Sequence, residues 1–101
     1  MNNKFDKEHF GILRKLSKNS KISQRHLAGE LSLSLGKINY CLGKLKDKGL
    51  IKIKNFSKNK NKVRYLYLLT PKGIAEKTDL TIKFMKLKMK EYEELKKEIE
   101  K

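Results

Sequence analysis

The feature that most constrains the fold of this chain is a three-residue pattern that occurs twice in quick succession. It consists of a hydrophobic residue, the serine that follows it, and a second hydrophobic residue four positions after the serine: Ile22, Ser23 and Leu27, then Leu33, Ser34 and Ile38. Serine is a favoured N-cap, and a hydrophobic residue just before a cap packs on the fourth helical residue as a hydrophobic staple. The pattern therefore predicts two short helices that begin close together in the chain.

The end of the second of these helices is also marked in the sequence. Gly49 can adopt the left-handed conformation that ends a helix, and Leu50 can then fold back on Leu45. Two capped helices joined by so short a turn form a helix-turn-helix. An amphipathic helix precedes them, with a stripe formed by Phe5, His9, Ile12, Leu13 and Leu16.

Two strands are predicted after the helix-turn-helix. Residues 50–56 alternate between apolar and polar side chains, and residues 63–69 are rich in β-branched and aromatic ones. The loop between them, residues 57–62, alternates lysine with serine or asparagine. A hairpin with a basic tip that follows a helix-turn-helix is a wing.

A long helix is predicted to end the chain. Thr70 is placed as its N-cap and Pro71 as its first residue, where a missing N–H costs nothing. The predicted fold is therefore mainly α with a small β-hairpin. We expect a winged helix-turn-helix over residues 1–73 and a C-terminal dimerisation helix over residues 74–101, within a single domain.

The charge of the chain indicates an anionic partner. Lysine and arginine total 26 against 11 acidic residues, for a net charge of +15. Such a charge repels itself unless a polyanion is bound. The excess lies between His9 and Ala75, with 16 basic and two acidic residues, whereas the eight basic and seven acidic residues after Ala75 nearly cancel.

Composition argues against several other classes of protein. The single cysteine, Cys41, cannot form an internal disulfide or a cysteine-based zinc site. There is no apolar run near the ~20 residues that cross a bilayer, and no secretory signal at the N-terminus. We therefore expect a cytoplasmic protein that does not contact membranes.

Catalytic and cofactor sites are not indicated either. The sequence has no phosphate-cradling glycine loop, activated nucleophile or paired carboxylates, so we expect no enzymatic activity and no cofactor. His9 and His26 lie far apart without an acidic cluster, which argues against a metal site. Cys41 is interpreted as a small buried hydrophobe, with an oxidation sensor as the alternative.

The second helix of a helix-turn-helix enters the major groove of DNA, with its outward side chains facing base edges. Lys37 can donate to guanine, Asn39 can pair with an adenine edge, and Gly36 permits close approach. Gln24 and Arg25 are placed for contacts to the phosphate backbone. The other predicted DNA contacts are Ser34, Tyr40 and Lys44 in the second helix and Lys58, Lys60, Lys62 and Arg64 in the wing.

The tail carries an apolar stripe that we interpret as a dimer interface, formed by Phe84, Met85, Leu87, Tyr92, Leu95 and Ile99. Lys88 interrupts its heptad spacing, and packing on the same domain is the alternative. A two-fold dimer would hold two recognition helices about 34 Å apart, which predicts a palindromic operator in double-stranded DNA.

Three segments resemble the DNA-binding lobe of MarR-type regulators: residues 23–28, 34–42 and 48–50. A wider set, which includes Asn55-Phe56, residues 65–74 and Glu91-Tyr92-Glu93, is similar to the exopolysaccharide-associated branch of that family. The resemblance runs from about Phe10 to Ile99. It implies a bacterial transcriptional regulator of polysaccharide genes.

The chain departs from the family pattern in places. His26 stands where related sequences usually carry glutamate, so the reciprocal capping box is lost, and Ser32 replaces a glycine common in the turn. The chain is also shorter than larger MarR proteins. The resemblance therefore implies that the usual effector pocket, between the DNA lobe and the dimer helices, is reduced or absent.

The sequence thus predicts a sequence-specific repressor that binds its operator as a homodimer. Two other interpretations stay open: a nonspecific architectural protein that binds DNA or RNA, and an adaptor whose C-terminal helix binds another protein. The operator, the regulated genes, the sign of regulation and any small-molecule effector are not encoded in a recognisable way.

Overall fold

The computed structural model describes residues 3–55 and 64–100 of the chain. Its elements are α1 (Asn3–Lys18), α2 (Gln24–Leu31), α3 (Leu35–Asp47), β1 (Ile51–Asn55), β2 (Tyr65–Leu69) and α4 (Pro71–Ile99). The fold class predicted from the sequence, mainly α with a two-stranded hairpin and a long C-terminal helix, is confirmed. Several predicted features fall outside the described residues: the side chain of Phe5, Phe56, Val63, and the wing tip with Lys58, Lys60 and Lys62.

The core lies between α1, α2, α3 and the hairpin. Ile12 and Leu13 of α1 are fully buried, together with Leu27 of α2 and Ile38 of α3. The apolar positions recur at helical spacing, so each helix turns one face to this core. Strands β1 and β2 are antiparallel, in a register that pairs Ile51 with Leu69 and Asn55 with Tyr65.

The three predicted N-caps, Ser23, Ser34 and Thr70, all form. The Ser23 hydroxyl accepts a 3.0 Å hydrogen bond from the His26 N–H, and the Ser34 hydroxyl accepts one from the Lys37 N–H at the same distance. With His26 in place of glutamate, the hydrogen bond from the Ser23 N–H to a glutamate side chain is lost. The other hydrogen bond of the capping box remains, because the His26 N–H donates to the Ser23 hydroxyl. Ser32 adopts the left-handed conformation, with φ 54°, that the glycine of related sequences would favour.

The junction between α3 and the hairpin also anchors the start of α4. Gly49 has a φ of +74°, and the N–H of Leu50 donates to the Leu45 carbonyl at 2.9 Å. The Leu50 carbonyl in turn accepts from the N–H of Thr70, and it lies so close to Gly73 that a Cβ there would stand 1.9 Å from its oxygen. This close packing therefore requires a glycine at position 73.

Among the residues that the structure describes, it is the first half of α4 that packs on the other elements. Leu80 is buried, and Phe84 stacks on Phe10 of α1. Residues 85–100 are all exposed. The molecule consequently measures 64 × 26 × 23 Å, with the second half of α4 projecting from the core.

Candidate nucleic-acid interface

Helix α3 has one buried and one exposed side. Ile38, Cys41, Leu42 and Leu45 are at most 2% exposed, which confirms the predicted inner face. Asn39, Tyr40 and Lys44 lie on the opposite, exposed side. An outward face with an amide, a phenol and an ammonium can form hydrogen bonds with base edges and phosphates.

The start of α3 is open to a bound partner. Ser34 and Gly36 are exposed, and a Cβ at Gly36 would have nothing within 4 Å. Leu35, which the sequence analysis did not select, is 45% exposed beside them. Its position at the first helical residue, outside the buried stripe, is the sequence signal that could have found it. An exposed apolar side chain here can contact a thymine methyl group.

Tyr40 stands between two lysines on α3. The Lys44 ammonium lies 5.6 Å from the centroid of the Tyr40 ring, and the Lys37 ammonium lies 6.0 Å from it. Cations at this distance interact favourably with an aromatic ring. The three side chains therefore form a cationic cluster around an exposed ring.

Lys37, which the sequence predicts to face DNA, has its ammonium near the exposed Tyr40 ring and also paired with α1. Its Nζ lies 3.4 Å from Oε2 of Glu8 in α1, and its side chain is 39% exposed. Glu8 itself is buried. The helical position of Lys37, one turn before Cys41, places it at the edge of the buried face.

Helix α2 contributes one exposed and one partly buried side chain. Arg25 is exposed, as expected for a backbone contact. Nε2 of Gln24 instead donates a 3.3 Å hydrogen bond to the Tyr67 hydroxyl of β2, so Gln24 links α2 to the wing. Exposed Arg64, at the base of the wing, lines a cavity of about 490 Å³ together with Lys21, Ser23 and Tyr65.

Two titratable groups near α3 have perturbed pKa values. Burial, reinforced by the positive charge of Lys48, lowers the pKa of His9 to about 4, so this ring is neutral at pH 7. Burial also raises the pKa of the Cys41 thiol, and the Glu8 carboxylate adds to the effect. Because the thiolate is the reactive form of cysteine, burial and the raised pKa favour the interpretation of Cys41 as a small buried hydrophobe over that of an oxidation sensor.

A groove of about 450 Å³ lies between α1, the end of α2 and α4. Phe10, Leu31 and Phe84 form its apolar wall, and Arg14 and Lys88 are among its charged residues. The family resemblance implied a reduced or absent pocket at this place. The structure has a groove there, lined by side chains of α1, of α4 and of the end of α2.

Helix α4 carries an apolar surface that faces away from α1. We call it the tail stripe, and it consists of Ile74, Ile82, Met85, Met89, Tyr92 and Ile99, all at least 47% exposed. Helical periodicity places it about a third of a turn from Leu80 and Phe84. Lys88 lines the groove beside Phe84, so it does not interrupt this stripe.

The predicted dimer residues are thus divided between two sides of α4. Met85, Tyr92 and Ile99 belong to the tail stripe. Phe84 packs on α1 of its own chain, Leu87 lies on the same side as Phe84, and Leu95 lies between the two sides. Ile74, Ile82 and Met89 are exposed on the tail stripe but lie outside the heptad spacing that defines the predicted dimer residues.

No cluster of three or more histidine, cysteine, aspartate or glutamate side chains could hold a metal ion within residues 3–55 and 64–100. In the same part of the chain, no helix is both long and apolar enough to cross a membrane.

Comparison with known families identifies the class of domain. Residues 5–52 match a family described as winged helix-turn-helix DNA-binding, a segment that includes most of α1 and all of α2 and α3. These residues are therefore similar to a winged helix-turn-helix DNA-binding domain, and the chain has the winged helix-turn-helix fold. No curated protein sequence matches the chain significantly.

The solved structures that resemble the chain include MarR-family regulators. The transcriptional regulator BldR from Sulfolobus solfataricus has a TM-score of 0.69 and 25% identity, over 79% of this chain and 55% of BldR. The adhesin competence repressor AdcR from Streptococcus pyogenes has a TM-score of 0.70 and 18% identity, over 89% of this chain and 65% of AdcR. Staphylococcus aureus MarR, in complex with salicylate and kanamycin, has a TM-score of 0.64 and 20% identity, over 85% of this chain and 56% of MarR.

These alignments leave part of each neighbour unmatched. The chain spans about half the length of BldR and of S. aureus MarR. What the chain shares with these structures is the fold.

Proposed function

We propose that this protein is a transcriptional regulator that recognises a specific sequence in double-stranded DNA. The observation that carries the proposal is the two-sided helix α3, whose apolar residues are buried while Asn39, Tyr40 and Lys44 are exposed together. The match of residues 5–52 to a DNA-binding family supports the same assignment. The net charge of +15 supplies a favourable, salt-dependent contribution to affinity through counterion release.

The side chains have separate roles in this proposal. Asn39 and Tyr40 discriminate between bases in the major groove, and Leu35 adds an apolar contact. Ser34, Gly36 and the free N–H groups at the start of α3 hold a phosphate. The backbone and wing contacts come from Arg25, Lys44, Arg64 and the lysines of the wing tip, with Gln24 holding α2 on the wing.

The tail stripe supports a homodimer. The apolar surface that extends along α4 from Ile74 to Ile99 is exposed to water, which is unfavourable. In a two-fold dimer, the same stripe of a second copy would pack on it and bury both. Two DNA-binding lobes related by a two-fold axis bind a palindrome. Occupation of such an operator represses transcription. On the sequence resemblance alone, we propose polysaccharide genes as the target.

The test is selection of binding sites from a random pool of duplex DNA at near-physiological salt. Enrichment of a palindrome supports a dimeric sequence reader. Enrichment of a single half-site supports sequence recognition but contradicts the dimer. Retention of any duplex without enrichment contradicts sequence-specific regulation and favours an architectural protein.

The groove between α1 and α4 favours a second function, the binding of a small apolar anion. Stacked Phe10 and Phe84 provide an aromatic wall, and Arg14, with its guanidinium 5.4 Å from the Phe10 ring, provides a positive charge. A ligand there contacts both the DNA-binding lobe and α4. Titration with salicylate, the ligand named for S. aureus MarR, should shift the amide resonances of Gly11 and Phe84. Unchanged resonances at these groove residues would contradict this binding site.

A further inference from the structure

Glu8 of α1 and Lys37 of α3 form an ion pair across the contact between the two helices. Nζ of Lys37 lies 3.4 Å from Oε2 of Glu8, and the two side chains are 39% and 8% exposed. The pair therefore joins a buried anion to a cation at the margin of the proposed DNA-contacting surface.

The surroundings of Glu8 make this pair hard to open. Its Oε2 also accepts from the Cys41 thiol at 4.0 Å, which is a weak interaction, and its Oε1 is buried without a hydrogen-bond partner among the described residues. Within residues 3–55 and 64–100, Lys37 is the cation that pairs with it. A buried carboxylate that loses its counter-ion is strongly destabilising.

We propose that Glu8 competes with DNA for Lys37 and thereby sets the DNA affinity of the protein. The ammonium stays with Glu8 in the wild type, so Lys37 contributes little to DNA binding although it belongs to the recognition helix. Glu8 is then a positioning residue that touches no DNA itself. This inference rests on the proposed DNA-binding function.

The experiment is a cycle of Glu8→Gln, Lys37→Met and the double variant, with the full chain. Affinity is measured as a function of salt on a mixed-sequence duplex of about 30 base pairs, long enough for two half-sites one helical turn apart. In the wild-type background, Lys37→Met should change affinity less than twofold. Glu8→Gln should free Lys37, raise affinity about three- to tenfold, and steepen the slope of log affinity against log salt by about 0.9, the contribution of one phosphate contact. Adding Lys37→Met to Glu8→Gln should abolish the gain.

Glu30→Gln is the matched control because it raises the net charge by the same amount. Glu30 pairs with Lys15 of α1 and His26 of α2, and with no residue of α3 among the described ion pairs. Its removal should leave the salt slope unchanged.

Folding is checked by thermal unfolding. Lys37→Met should lower the melting temperature because it leaves Glu8 without a counter-ion, and Glu8→Gln in the same chain should restore it. The double variant therefore remains usable if Lys37→Met alone is unstable.

Three results would overturn the inference. One is a loss of both affinity and salt slope on Lys37→Met in the wild-type background, because Lys37 would then already contact DNA. The second is a gain in affinity on Glu8→Gln that survives in the double variant, and the third is no gain on Glu8→Gln. A wild-type protein that binds no duplex even at low salt would instead defeat the proposed function itself.

Discussion

The rings of Phe10 in α1 and Phe84 in α4 are stacked, with centroids 5.2 Å apart and planes inclined by 16°. One residue before Phe84, Lys83 forms an ion pair with Asp6. These contacts join the middle of α4 to the first helix of the DNA-binding lobe. The projecting half of α4 is therefore coupled to the lobe through a small number of side chains.

Phe84→Ala should destabilise the protein by about 1–3 kcal/mol, because it removes the aromatic stack and opens the packing around Phe10. Urea unfolding followed by circular dichroism measures the change. Lys86→Ala, on an exposed part of the same helix, is the control and should stay within about 0.5 kcal/mol of the wild type. Equal losses for the two variants would show that the stack adds nothing to stability.

Gly73→Ala should destabilise the protein at least as much as Phe84→Ala does, by about 2 kcal/mol or more. The added Cβ would stand 1.9 Å from the Leu50 carbonyl oxygen, so the start of α4 would have to move away from the end of α3. Urea unfolding is again the measurement. Unchanged stability would mean that α4 does not pack on Leu50.

Gly29→Ala is the matched control for Gly73. Gly29 lies inside α2, and a Cβ there would meet nothing within 4 Å. Alanine is favoured over glycine in a helix by about 0.5–1 kcal/mol, so this variant should be slightly more stable than the wild type. Both substitutions replace glycine with alanine, but Gly29→Ala is expected to raise the stability of the protein and Gly73→Ala to lower it.

The helix-turn-helix could be predicted from the sequence because its signals are local. Ser23 and Ser34 cap helices within one turn of their own position, and Gly49 marks the end of α3 where its φ is positive. Such signals need no information about distant parts of the chain. The hairpin followed from alternation and β-propensity in the same way, with β1 and β2 shorter in the described residues than the predicted strands.

The candidate site was less predictable where it depends on contacts between elements. The helical period places Lys37 at the boundary of the buried face of α3, and only the position of Glu8 in α1 decides that its ammonium turns inward. Similarly, α4 has apolar residues on two sides. The sequence does not reveal which side meets Phe10, so Phe84 and Leu87 were grouped with Met85 and Tyr92.

Asn39→Ala should reduce binding to the selected operator about tenfold or more, because a bidentate contact to a base is worth about 1–3 kcal/mol. Binding to random duplex should change little, since Asn39 carries no charge. Fluorescence anisotropy with both duplexes measures the ratio. Equal losses on the two duplexes would assign Asn39 to the backbone.

Stability should fall as the solution is acidified through the range in which His9 would otherwise gain a proton. Burial and the charge of Lys48 lower the pKa of His9 in the folded protein from its ordinary value of 6.5 to about 4. Lys37 adds to this lowering, and the negative charges of Asp6 and Glu8 oppose it. The unfolded state therefore binds more protons between these two values. The stability is fully present above pH 6.5 and is lost as the pH falls towards 4, by at most about 3 kcal/mol.

Unfolding free energies of the wild type and of His9→Leu at several pH values isolate this effect. Carboxylates titrate in both proteins, so their contribution cancels in the difference. The unfolding free energy of the wild type minus that of His9→Leu should become smaller as the pH falls below 6.5, because only the wild type loses stability through His9. Parallel pH profiles for the two proteins would mean that His9 titrates normally in the folded state.

Met89→Glu should convert the proposed dimer into a monomer. Met89 lies in the middle of the tail stripe, so two copies of the glutamate would be buried near each other across a two-fold interface. Light scattering measures the mass, and operator affinity should fall because each lobe then binds a half-site alone. Lys90→Glu, on the other side of α4, is the control and should remain dimeric. A Met89→Glu protein that keeps the dimer mass would exclude the tail stripe as the interface, and a monomeric wild type would exclude the homodimer altogether.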